Sequence, residues 1–230
     1  RDHGERIGAI VLCRDVTELR HQERELITKD ATIREIHHRV KNNLQTVASL
    51  LRIQARRSHS DEARESLNQA MRRVAAIAVV HDTLSEGLSQ IVDFDVVFDR
   101  VLKLITEVAS THNTRVHPKF SGSFGALPSE YATPLSLALT ELVTNAVEHG
   151  LAGREGNVDI TALRTDETLS VQVRDNGSGL PEGKVGSGLG TQIVRTLIQG
   201  ELGGTIDWHT MMGSGTEVTI EVPLTWLTKS

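Results

Sequence analysis

Leu19, Leu26, Ile33, Val40 and Val47 recur at strict sevenfold spacing, and a ladder of that length dictates one long helix. A second ladder through Val16, Leu44 and Leu51 passes through Glu23, Asp30 and His37, so the seam starts weak and strengthens after Ile33. Asp15 or Thr17 supplies the N-cap, with Glu18 in the first turn. The stretch SHSDEARE, Ser58 to Glu65, breaks the pattern and offers a fresh cap. A second helix then sets Leu67, Met71, Val74, Ala78 and His81 at seam spacing, widened by Ala70, Ile77 and Leu84. Two antiparallel helices alone leave too much apolar stripe in water. A homodimer, pairing two hairpins into a four-helix bundle, would cover it.

Composition closes off several classes. With 230 residues, 38% hydrophobic and 24% charged, the chain is long enough for one sizeable core or two smaller modules. A net charge of −5 with both signs intermixed gives no global basic field, so direct nucleic-acid binding is not expected. The single Cys13 cannot form an internal disulfide, and no apolar run is long enough to span a membrane. The first residues, RDHGERIGAI, lack a signal peptide's apolar segment and begin without Met, which reads as a cytoplasmic fragment of a longer chain. Ile7 to Cys13, IGAIVLC, is expected to be a strand ending at Arg14-Asp15.

After Gly87 the texture changes. A third amphipathic helix is expected over Phe94 to Ala109, a strand over Thr114 to Phe120, a loop over GSFGALPSEY, and a helix over PLSLALTELVTNAVEH. Strands near Val158–Arg164 and Leu169–Asp175, a glycine-rich stretch, a helix near Thr191–Gln199, and strands near Thr205–His209 and Thr216–Val222 follow. Interleaved helices and strands make this half a two-layer α+β unit.

Three segments there carry chemistry. ELVTNAVEH sets Glu141 and Asn145 four apart on one helix face, where a carboxylate and an amide oxygen can organise a hard cation and its waters. RDNGSGLP follows a strand with Asp175, Gly177 and Gly179, placing an acceptor beside backbone that can approach a planar base closely. GSGLGTQIV, holding Gly186, Gly188, Leu189 and Gly190, opens a helix whose free N–H groups suit a polyphosphate. GSGT, ending at Thr216, begins the last strand. Alone, each has a plainer reading: a solvated helix face, a turn, a loop. Their conjunction in this order, each on the element its chemistry needs, is what sets them apart.

At these residues the second half resembles the GHKL ATP-binding domain, an α/β sandwich shared by gyrase, a heat-shock chaperone, histidine kinases and MutL. HHRVKNNLQ, beginning at His37, is similar to the phosphoacceptor motif of HisKA_2-type sensor histidine kinases, and RVAAIAVVHDTL, Arg73 to Leu84, resembles the second helix of that dimerisation module. The strand leading into RDVTELRHQEREL resembles the exit of a PAS sensor domain. The resemblance implies the end of a sensor domain over 1–17, dimerisation and phosphotransfer helices over 18–88 and a catalytic ATP-binding domain over 89–230. It also implies ATP and Mg2+ as cofactors, with Asn145 and Glu141 at the metal. Asp175 would accept from the adenine amino group, the second glycine loop would hold phosphates, and Thr216 would assist at the base. The phosphoryl group would pass from a histidine to an Asp of a response regulator receiver domain, which the family pairs with an RNA-binding ANTAR output.

Seam geometry separates the two histidines. Ile33, His37, Val40 and Leu44 face partner helices, whereas His38 lies about 100° further round, on a strip with Glu35, Asn42 and Gln45. His38 is therefore the expected acceptor. Two positions depart from the family pattern. Arg39 follows the acceptor where an acidic residue is common, leaving Glu35 as the available carboxylate, and Glu148 stands where a phosphate-contacting Lys is frequent, so it must point away or Lys184 must compensate. Two other functions share parts of this pattern: a GHKL serine kinase or ATPase, which would not need the histidine hairpin, and a catalytically weak dimeric scaffold.

Overall fold

The computed structural model describes residues 17–86, 91–111, 115–180, 185–186, 188–210 and 215–225. The expected strand over 7–13 lies outside the described residues, as does all but the last residue of the expected sensor-domain end.

Helix α1, Thr17–Arg57, and helix α2, Asp61–Glu86, form an antiparallel hairpin. Ser60 caps α2, its hydroxyl accepting from the Ala63 N–H at 3.2 Å, with Asp61 and Glu62 complementing the positive end of the helix. On α1, His37, Val40, Leu44, Ala48 and Leu51 are half-buried and Ala55 is buried. The same helix leaves Ile36, Val47, Leu50 and Ile53 in water. Self-association is expected from the Leu44, Val47, Leu51 and Met71 stripes; within the hairpin Val47 stays exposed, while Leu44, Leu51 and Met71 are half-buried. No residue of α2 from Leu67 to Leu84 is fully exposed, since its other side meets α3 and α4.

Helix α3, Phe94–Thr111, is preceded by strand β1, Ile91–Asp93, which pairs antiparallel with strand β3, Ala126–Pro128. Strand β3 falls within the expected loop GSFGALPSEY and β1 in a stretch given no element, three residues being too few for a visible alternation. Asp95 ties the start of α3 to the turn before β3, its carboxylate accepting from Ser123 Oγ at 2.6 Å and the Phe124 N–H at 2.8 Å. All four phenylalanines of the chain meet here: Phe124 stacks on Phe120 at 5.2 Å and meets Phe94 and Phe98 at 5.0 Å.

The main sheet combines β2, Val116–Gly122; β4, Gly156–Arg164; β5, Thr168–Asp175; β6, Thr205–Thr210; and β7, Thr216–Pro223, in the order β2-β4-β5-β7-β6. Only β2 with β4 is parallel. Val158, Ile160, Val171, Val173, Val218 and Ile220 alternate inward and join one buried cluster with Leu135, Leu139 and Val143 of helix α4. Helix α4, Ser129–Asn145, starts before the expected Pro134 and continues through a wider π-helical turn, Ala146–Gly150. Helix α5, Leu189–Arg195, likewise runs on into a π-helical turn, Thr196–Glu201. Helices on one face and polar side chains on the other give the α/β sandwich that the resemblance implied.

Removing the centre of the aromatic cluster leaves a cavity that its three ring partners cannot close. Phe124→Ala is expected to cost about 3–5 kcal/mol, read as a lowered denaturant midpoint at unchanged slope.

Candidate functional site

A cavity of about 560 Å3 opens between α4 with its π-helical turn, the N-terminal end of α5, and the ends of β5 and β7. Glu141, Asn145, Asp175, Gly179, Gly186, Gly188, Leu189, Gly190 and Thr216 all line it, so residues from the three motifs and the last strand converge. Gly177 sits just behind. A Cβ there would fall 1.9 Å from the Gly150 carbonyl oxygen, a contact that only glycine permits between the β5 exit and the π-helical turn. Gly190 plays the matching part at α5, where a Cβ would lie 2.8 Å from Glu141 Oε2.

Asp175 is buried at the cavity's inner end. Burial pushes its carboxyl above the usual carboxylate range, and hydrogen bonds from the Gly177 N–H, at 2.8 Å, and from Thr216 pull it back. One wall carries Trp208, over which the Arg195 guanidinium lies at 4.3 Å. Thr144 Oγ1, also in the lining residues, is buried with no hydrogen-bond partner among the described residues. Threonine in a helix usually bonds back to a carbonyl one turn earlier, so this hydroxyl is free to meet a ligand atom.

Glu141 is nearly buried, and both of its oxygens are engaged. Arg73 of α2 donates from Nε to Oε1 at 2.7 Å and from Nη2 to Oε2 at 2.8 Å. This pairing, chiefly through its hydrogen bonds, raises the already high pKa of the Arg73 guanidinium. Glu148 lines the cavity and is paired there with Arg72, at 2.9 Å. Lys184, the other compensation considered, lies outside the described residues. Sequence reasoning missed Arg72, Arg73, Thr144 and Trp208. Thr144 had one signal, its place beside Asn145; the arginines had none, being a helix apart from their partners.

The hairpin arranges its histidines differently from each other. His37 is half-buried, its Nδ1 at 2.9 Å from His81 Nδ1, so one ring donates and the other accepts. Burial first and the neighbouring imidazole second lower the basicity of both: His38 acts on His37, and His37 on His81. Lys41 pairs with Asp82 one turn on, and Arg100 approaches the same carboxylate at 3.8 Å. His38 and Asn42 are exposed, and Glu35 is exposed but held by Arg39 at 2.6 Å. None of these lines the cavity; among the described residues Gln69 is the hairpin residue that does.

Residues 35–109 match the HisKA_2 family, described as histidine kinase, and residues 130–225 match the HATPase_c family, described as histidine kinase-, DNA gyrase B- and HSP90-like ATPase. The chain belongs to the histidine kinase family. Among relatives, this histidine kinase chain is 48% identical over 226 residues to the sensor histidine kinase PdtaS of Mycolicibacterium smegmatis, covering 96% of the chain and 45% of PdtaS. The same figures hold for PdtaS of Mycobacterium tuberculosis. The chain thus spans about half the length of the curated relatives it matches. The solved histidine kinase domain of the Erythrobacter litoralis EL346 blue-light activated histidine kinase superposes with a TM-score of 0.63 at 29% identity, covering 89% of this chain and 96% of that one.

The cavity of this histidine kinase chain fits an adenine nucleotide, with a buried acceptor at one end, glycine-permitted close backbone, and a helix start at the other. The carboxylate of Glu141 and the amide oxygen of Asn145 are hard donors of the kind Mg2+ takes. Among the described residues no group of three or more His, Cys, Asp or Glu side chains gathers to hold a metal.

Two outcomes follow from this geometry. Asp175→Asn replaces an acceptor oxygen by a donor at nearly constant shape, and is expected to weaken ATP binding at least about tenfold in calorimetric titration, with Tm little changed. The two half-buried imidazoles have lowered folded-state pKa values, so their contribution to stability is complete above the ordinary imidazole pKa and is lost as pH falls through the folded values. His81→Phe is expected to flatten that part of the stability profile, measured by denaturant midpoints between about pH 8 and about pH 5.

Proposed function

We propose that the chain is the kinase core of a two-component sensor, which transfers the γ-phosphoryl group of ATP to His38 and then to an Asp of a response regulator receiver domain. The observation that carries this reading is the pairing, in one chain, of a solvent-exposed histidine on a two-helix hairpin with a cavity that holds Glu141, Asn145, Asp175 and the glycine motifs.

His38 is the better acceptor of the two histidines because its ring is exposed, whereas His37 spends its Nδ1 on His81. A neutral imidazole nitrogen of His38 attacks the γ-phosphorus with its lone pair. The bond to the β,γ-bridging oxygen breaks, ADP leaves with that electron pair, and the ring sheds the proton from its other nitrogen. Glu35, one turn back, is the nearby carboxylate to receive it once released from Arg39, and Asn42, one turn on, orients the transferring group. Catalysis is mainly positioning and charge neutralisation. Asp175 and Thr216 would fix the base, Gly186, Gly188, Leu189 and Gly190 would hold the phosphates, and Asn145 would hold Mg2+ with Glu141 supporting its waters. When bound, Mg2+ offsets the negative charge of the phosphates.

The exposed Ile36, Val47, Leu50 and Ile53 of α1 support a homodimer joined through that helix. Domain limits at 1–17, 18–88 and 89–230, a cytoplasmic location and a receiver partner with an RNA-binding ANTAR output complete the proposal. Among the described residues no helix is long and apolar enough to cross a membrane.

Labelling with γ-phosphate-labelled ATP and Mg2+ tests it. Acid-labile, base-stable phosphate is expected on His38, lost in His38→Gln and reduced at least about a hundredfold in Asn145→Ala. Label on His37, or base-labile label on serine, would refute the assignment.

A further inference from the structure

The hairpin and the nucleotide half are joined by charge as well as by apolar packing. Gln69, Arg72, Arg73, Ala76 and Val80 recur at helical spacing on the side of α2 that meets α4, with Ala76 and Val80 buried. At the cavity end of this strip the two arginines reach across. Arg73 takes both oxygens of Glu141, with side chains 17% and 8% exposed, and Arg72 bridges Glu148 at 2.9 Å and Glu65 at 3.0 Å.

The Arg73 guanidinium takes one lone pair from each Glu141 oxygen and sets a full positive charge beside the carboxylate, which opposes the approach of a hydrated cation. The same oxygen that receives Arg73 Nη2 lies 2.8 Å from where a Cβ of Gly190 would be, at the mouth of the phosphate loop. Arg73 and a hydrated divalent cation therefore compete for one carboxylate. Glu148, an awkward negative charge for a phosphate pocket, is drawn off by Arg72 while the halves are together. His38 does not line the cavity in this arrangement, so transfer to the same chain's His38 requires the nucleotide half to move away from α2 and towards α1.

We infer that Arg72 and Arg73 form an autoinhibitory latch, holding the nucleotide half on α2 through Glu148 and Glu141 until Mg·ATP takes Glu141 and releases it. This rests on the ATP-binding reading of the cavity. The latch lowers apparent nucleotide affinity by the fraction of molecules it keeps closed, and it makes nucleotide loading and release from α2 one event.

Titration of the 230-residue chain with Mg·ATP, beside Arg73→Gln and Arg73→Lys, tests the competition. Arg73→Gln is expected to bind about tenfold more tightly, as for a latch closed about ten to one, and Arg73→Lys, which replaces a two-pronged contact by a point charge, by less. Hydrogen exchange across residues 69–80 is expected to rise when Mg·ATP is added to the parent, and to be raised already in Arg73→Gln without nucleotide. Equal or weaker binding by Arg73→Gln, or α2 exchange indifferent to nucleotide in the parent, would overturn the latch. A parent that binds Mg·ATP yet leaves His38 unlabelled refutes the kinase reading while this comparison still decides the latch.

Discussion

Helix α4 is buried on almost every side, and the site depends on that constraint. Its apolar residues share one core with the sheet, its flank meets α2 and α3, and α5 closes over its C-terminal end. A helix so enclosed can carry Ser136, Thr140, Glu141 and Thr144 only if each finds a partner or faces a cavity. Thr140 bonds the Ser136 carbonyl at 2.7 Å, Glu141 takes Arg73, and Thr144 faces the cavity. The polar content of α4 is therefore a map of what surrounds it. The π-helical turn after Asn145 extends the same logic, bringing the Gly150 carbonyl within hydrogen-bond distance of the Ser178 N–H at 3.0 Å and against Gly177.

Much of the arrangement was legible in the sequence because it is periodic or local. The hairpin follows from apolar steps of three and four, and the sheet strands from alternation that the burial of Val158, Ile160, Val171 and Val173 repeats. Convergence of the motifs on one cavity followed from their order along a known type of fold. What escaped is non-periodic and long-range. Arg73 and Glu141 are 68 residues apart, and nothing in RRVAAIAVV distinguishes an arginine that will be enclosed by α4 from one in water. The strands β1 and β3 are fixed by Asp95 reaching across to Ser123 and Phe124, a contact without any local signature. The helix seam was read correctly as apolar, yet the choice between packing within the chain and between chains turned on which side α2 would occupy.

The charge arrangement around Glu148 illustrates how position alters chemistry. In the sequence it looks like a repulsive substitution beside a phosphate loop. In the fold it belongs to a chain of alternating charges, Glu65, Arg72 and Glu148, on the flank of the hairpin. Such a half-exposed network adds little stability at each contact, but it fixes orientation because the signs match in only one register.

Helix α1 runs unbroken for 41 residues, which at 1.5 Å per residue makes a rod about 60 Å long. A helix transmits torsion along its axis, and each residue's bearing is locked to that of every other. A quarter turn imposed near Thr17 would swing the His38 ring by the same angle, at the expense of the contacts that His37 and Lys41 make with His81 and Asp82. What the His38 ring can meet is then a question of azimuth, and the rod behaves as a shaft whose setting at one end selects what the imidazole faces at the other.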